Sequence, residues 1–183
     1  MPSATISGSS TGLNVPDAIA LDSIGNIYVA NNGIGTVTVY PPGSNGNVVP
    51  SSVIQGYDTG LNAPVGIALD SNRKLYVLND SNGVFSITAY PAGSDGDVTP
   101  TATISGATTE LASSAAIAVD STGKIYVTNE QSQLGGLDSI TVYASGSNGN
   151  VSPIASILGS NTGLASPQGV VLDSSGHLRR EPR

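Results

Sequence analysis

One segment of this chain returns in register along its length, and that repeat constrains the fold more than any other feature. Ile19-Ala-Leu-Asp22-Ser-Ile-Gly-Asn-Ile-Tyr28-Val-Ala-Asn31 recurs as Ile67 to Asn79 and as Ile117 to Asn129. Asp22, Asp70, Asp120 and Asp173 mark four copies at spacings of 48, 50 and 53 residues. Tyr28, Tyr76 and Tyr126 keep their place after the first three, and a Thr-(Val/Ala)-Tyr landmark ends at Tyr40, Tyr90 and Tyr143. A Gly-Ser-(Asn/Asp)-Gly-(Asn/Asp)-Val landmark starts at Gly43, Gly93 and Gly146. The copies run over about 2–49, 50–99, 100–152 and 153–178, and residues 179–183 form an aberrant basic tail.

Each copy holds four short apolar runs separated by turn residues. The spacing predicts first strands at Ala18–Asp22, Gly66–Asp70, Ala116–Asp120 and Gly169–Asp173. Second strands are expected at Asn26–Ala30, Lys74–Leu78 and Lys124–Thr128, and third strands at Thr36–Tyr40, Phe85–Tyr90 and Ser139–Tyr143. Fourth strands are expected at Ser52–Gln55, Thr101–Ser105 and Ile154–Leu158, with an isolated one at Ser3–Ser7. Runs of this length rich in Val, Ile, Thr and Tyr read as strands, and their alternation of period two gives each a packed face. Asp22-Ser-Ile-Gly25 and Asp120-Ser-Thr-Gly123 fit type I turns, in which the aspartate bonds backbone two residues on. Asn45-Gly46, Asp95-Gly96 and Asn148-Gly149 read as tight hairpin turns.

Four antiparallel strands in about 49 residues make one twisted sheet, and one sheet cannot bury two apolar faces alone, so copies must stack. The expected fold is all-β: a β-propeller-like array of four-stranded antiparallel blades, three complete, with partial strands at both ends. Leucine-rich solenoids repeat at about 20–29 residues, which is too short.

Pro64-Val-Gly-Ile-Ala-Leu-Asp70 and Pro167-Gln-Gly-Val-Val-Leu-Asp173, with the copy from Pro16 to Asn31, resemble the NHL-type β-propeller repeat. The third copy departs from it at Ser114 and Ala116, and Arg179 stands where its tyrosine belongs. The resemblance implies a propeller, usually of six blades, in a family that includes protein-binding platforms, extracellular sensor domains and a few lactonase or lyase enzymes. Three blades and part of a fourth fall short of a ring. The sequence therefore suggests association of copies, a piece of a longer protein, or a strained four-bladed closure.

Composition narrows the function. With no Cys, the chain has neither disulfides, nor thiolate metal sites, nor a cysteine nucleophile. Residues 1–178 carry 12 acidic and 3 basic side chains, which argues against nucleic acid. No apolar run is long enough to insert in a membrane, and the N-terminus shows no secretory signal. The repeated aspartates start turns, so they are expected to be structural. Asp95-Gly-Asp97 opens like a calcium loop, but the alternating acids and closing Glu are missing, so no cofactor is expected and calcium is the one cation considered.

Candidate binding residues are Asn31, Asn79 and Asn129 at the ends of the second strands, and Glu130, Gln133 and Asp138 in the longest of the variable loops that follow them. Loops that vary on a rigid scaffold carry binding. His177, the only histidine, has no nucleophile placed beside it. The expected function is a non-catalytic structural or binding module, completed by self-association through exposed blade edges into a homo-oligomer or polymer and taking a protein or carbohydrate ligand, in an extracellular or cell-surface setting. The alternatives are a lactonase- or lyase-like enzyme with its site in an assembled channel, and an extracellular filament or surface subunit.

Overall fold

The computed structural model describes residues 2–132, 136–173 and 176–179. It is all-β, with three four-stranded sheets that each follow chain order. The first contains β1 (Pro16–Leu21), β2 (Ile27–Asn31), β3 (Thr36–Tyr40) and β4 (Ser52–Ile54). The second contains β5 (Pro64–Leu69), β6 (Leu75–Ser81), β7 (Val84–Tyr90) and β8 (Ala102–Ser105). The third contains β9 (Ser114–Val119), β10 (Ile125–Ser132), β11 (Leu137–Tyr143) and β12 (Ala155–Leu158). A two-stranded hairpin of β13 (Val171–Leu172) and β14 (Leu178–Arg179) stands for the fourth copy. All pairings within the sheets are antiparallel.

The first strands of the first three copies begin two residues earlier than the hydrophobic runs suggest, while the fourth, expected over Gly169–Asp173, is confined to Val171–Leu172. Pro16 and Pro64 open β1 and β5, followed by a register shift before Ala18 and Gly66. Proline is tolerated at the first residue of a strand, where no ladder donor is needed. The expected strand at Ser3–Ser7 reduces to one parallel bridge, Ile6 with Gly46, matching the bridges of Ile54 with Gly96 and Ile104 with Gly149.

Strand alternation sets the core. Leu75, Val77 and Tyr90 face the first sheet and join Tyr28, Ala30, Val37, Val39 and Ile54 in one buried cluster. The intervening residues Tyr76, Leu78, Ile87 and Ala89 face the opposite way and join Ile117, Ile125, Val127 and Tyr143 of the third sheet. The second sheet is thus buried on both faces, which explains why β6 is apolar at successive positions. The first strands β1, β5 and β9 lie next to one another in series, and β13 follows β9.

Candidate functional site

The Asp-x-x-Gly turns form as the pattern anticipates. Gly25 N–H donates to the Asp22 carbonyl and Gly123 N–H to that of Asp120. The Asp120 carboxylate accepts from Thr122 N–H at 2.8 Å, Thr122 Oγ1 at 2.7 Å, Lys124 N–H at 3.0 Å and the Tyr126 hydroxyl at 3.1 Å. Burial works to raise its pKa, but the hydrogen bonds to the ionised form outweigh burial and hold it below the usual carboxylate value. Asp22 is lowered for the same combination of reasons, with Asn26 and Ile24 as donors. A depressed folded pKa gives stability that is present above the unfolded value of about 3.9 and lost as pH falls through the folded one. Asp120→Ala is expected to cost about 2 kcal/mol at pH 7 and to flatten part of the fall in urea midpoint below pH 4.

The Asn-Gly pairs behave differently from the tight hairpins expected of them. β3 and β4 are joined by residues 41–51, and of Asn45 and Gly46 only the glycine has positive φ, at +78°. A type I′ turn needs positive φ at both. The loop instead reaches to the outer strand of the preceding unit and clamps it. Gly96 N–H donates to the Val53 carbonyl at 2.8 Å, and Gln55 N–H donates to the Gly96 carbonyl at 3.1 Å. Asp95 Oδ1 accepts from Val53 N–H and Asp97 Oδ1 from Asp58 N–H, both at 2.8 Å. Asn148 and Asn150 repeat this on Thr103 and Thr108, and Asn45 and Asn47 repeat it on Thr5 and Ser10. The side chains of Asp95 and Asp97 are therefore engaged in joining sheets.

Asn31, Asn79 and Asn129 are buried, at 0%, 1% and 0% exposure. Asn79 Oδ1 accepts from Asn62 N–H at 3.1 Å, while its amide donates to the Val77 carbonyl at 3.3 Å and to Thr88 Oγ1 at 3.1 Å. Asn31 makes the same set with Asn14, Val29 and Thr38, and Asn129 bonds Ala112, Val127 and Thr141. Each ties the loop before a first strand to the second and third strands of its sheet.

Glu130 and Asp138 meet the fourth copy. Ser166 N–H donates to Asp138 Oδ2 at 2.6 Å, and Gln168 Nε2 donates to Glu130 Oε1. Gln133 lies outside the described residues. A groove of about 290 Å³ runs between Leu137 and Asp138 on one side and Gly159, Ser160 and Leu164 on the other. Glu130 and Asp138 thus come together through what they hold, while the three asparagines stay apart, one in each sheet.

A third contact repeats in all three four-stranded sheets. The Tyr40, Tyr90 and Tyr143 hydroxyls donate to the carbonyls of Thr11, Thr59 and Thr109 at 2.6, 2.5 and 2.5 Å. The threonine hydroxyls in turn donate to Gly8, Gly56 and Gly106 carbonyls. A tyrosine closing each third strand, with a threonine 29 to 34 residues before it, is the available sequence signal.

Among the described residues no three His, Cys, Asp or Glu side chains gather where they could share a cation. No helix among them is long and apolar enough to cross a membrane. The chain matches no protein-family model, and no curated protein matches it significantly.

Proposed function

We propose that the chain is a non-catalytic structural or binding module of propeller-type repeats, completed by self-association. One observation carries the reading. Sheets stack through a repeated apolar interface and a repeated backbone clamp, and the polar residues the copies share are spent on that architecture. Asp95, Asp97, Asn79 and their counterparts bond the chain's own backbone. The series of neighbouring first strands suits a radial array in which each sheet is one blade. The richness in Ser, Thr, Gly and Asn with no Cys suits an extracellular surface, and the variable loops after the second strands are where a protein or carbohydrate ligand would meet the array.

Sedimentation velocity over a wide concentration range tests this. The expected result is a species heavier than the 18.2 kDa chain that grows with concentration. A single species of the chain mass at every concentration overturns it.

A further inference from the structure

The first sheet has an apolar face with little over it. Ile19 and Leu21 are 67% and 65% exposed, whereas Ile67 and Ile117, at the repeat position of Ile19, are each 7% exposed. Ile19, Ile27, Val29 and Tyr40 floor a cleft of about 450 Å³ whose other wall includes Thr5 and Ile6. A bare sheet face of this kind marks an interaction surface.

The chain's own interfaces say what fits there. Ile67 is buried in a cluster against which Ala18 and Ala20 of the preceding sheet pack. Ile117 shares a cluster with Ala68, and its Cγ2 lies 3.2 Å from where a Cβ on Gly66 would stand. In both interfaces the position of Ile19 is covered by the residues two and four places before the preceding copy's turn aspartate. In the fourth copy those residues are Gly169 and Val171, before Asp173. Val171 is 53% exposed and Gly169 has nothing within 4 Å of a built Cβ. The chain therefore carries both halves of its own repeated interface, with Ile19 exposed on the first sheet and Val171 exposed on β13.

We propose that the β13–β14 hairpin of a second copy seats in this cleft, head to tail, with its Val171 against Ile19. This rests on the self-association proposed above and assigns the faces that make it. The two faces differ, so the contact is heterologous, and it propagates until a ring closes or a filament forms.

The chain has no Cys, so single-cysteine variants report contacts cleanly. Ile19→Cys and Val171→Cys are mixed under mild oxidation, and disulfide-linked dimers are quantified by mass. A disulfide needs Cα atoms within about 7 Å, so it reports this contact and no looser one. The expected result is a mixed dimer at least tenfold more abundant than the dimer from either variant alone. Ile19→Asp, at an exposed position, is expected to weaken association at least tenfold in sedimentation. If the unmodified chain associates but the mixed dimer does not exceed the single-variant controls, the pairing is wrong and association through other surfaces stands. A foreign partner that protects Ile19→Cys from oxidation in an otherwise monomeric sample overturns the pairing as well. A chain monomeric at every concentration, with no mixed dimer, removes both readings. Circular dichroism checks the fold of Ile19→Asp, and the cysteine pair decides the matter if that variant unfolds.

Discussion

Gly56→Ala is expected to destabilise the chain by about 3–5 kcal/mol, while Gly159→Ala costs only about 1–2 kcal/mol, although the two glycines hold the same place in their repeats. Gly56 has φ +132° and ψ 174°, and Gly159 has φ +105° and ψ 163°. Both lie in a region open essentially to glycine alone, where strain costs about 1–3 kcal/mol. The difference is what stands in front of them. A Cβ on Gly56 would meet Asp97 Oδ1 at 2.4 Å, whereas Gly159 has nothing within 4 Å. Alanine at 56 must therefore push away the carboxylate that accepts from Asp58 N–H. Hydrogen bonds to charged groups are worth about 1.5–3 kcal/mol, and losing this one loosens the clamp of the second unit on the first. Urea midpoints of the two variants measure the contrast. Equal losses would mean that the clamp adds nothing beyond backbone strain.

That contrast also shows where the sequence is legible. The strands, their order and the aspartate turns follow from local patterns: β-branched runs, alternation, and Asp-x-x-Gly. The third strand Thr36–Tyr40 has the expected bounds, and the other third strands gain one or two residues at their starts. The clamp was hidden because Asn45-Gly46 has the same local chemistry whether it folds back on its own strand or reaches to a neighbouring unit. Only the length between Tyr40 and Ser52 is at odds with a tight hairpin. The asparagines at the ends of the second strands were hidden for another reason. A polar residue closing a strand reads as a rim residue, and nothing in its own copy's pattern reveals that a loop 17 residues earlier folds over it. Glu130 and Asp138, expected in a variable loop, lie instead in β10 and β11, which run further than the apolar pattern does, and their bonds are to residues 168 and 166, beyond any local pattern.

The buried tyrosines lead to the second large effect, loss of the fold in alkali. Tyr90 and Tyr143 are 0% exposed. Burial pushes both hydroxyls up to about 12, against an ordinary value of about 10. Between those values the folded state holds protons that the unfolded chain releases, so stability falls as pH rises. The contribution is fully present below pH 10 and lost progressively toward pH 12. Two groups shifted by about two units each amount to about 5 kcal/mol, at about 1.4 kcal/mol per unit. That is as large as the whole stability of many domains, about 5–15 kcal/mol. Tyr28, Tyr76 and Tyr126 are pushed up as well, by burial first and then by Asp22, Asp70 and Asp120, so they add to the same slope. Lys74 and Lys124 are the only lysines, so the alkaline slope belongs mainly to tyrosine. The urea midpoint is expected to hold level up to about pH 9.5, then fall, with unfolding near pH 12. In the double variant Tyr90→Phe with Tyr143→Phe, the Thr59 and Thr109 carbonyls lose their hydroxyl donors. That costs about 1–3 kcal/mol each at pH 7 and at the same time makes the alkaline slope shallower. Far-UV circular dichroism of both proteins across pH 8–12 reads the two slopes. If they are parallel, the tyrosine tethers do not set the alkaline limit of this fold.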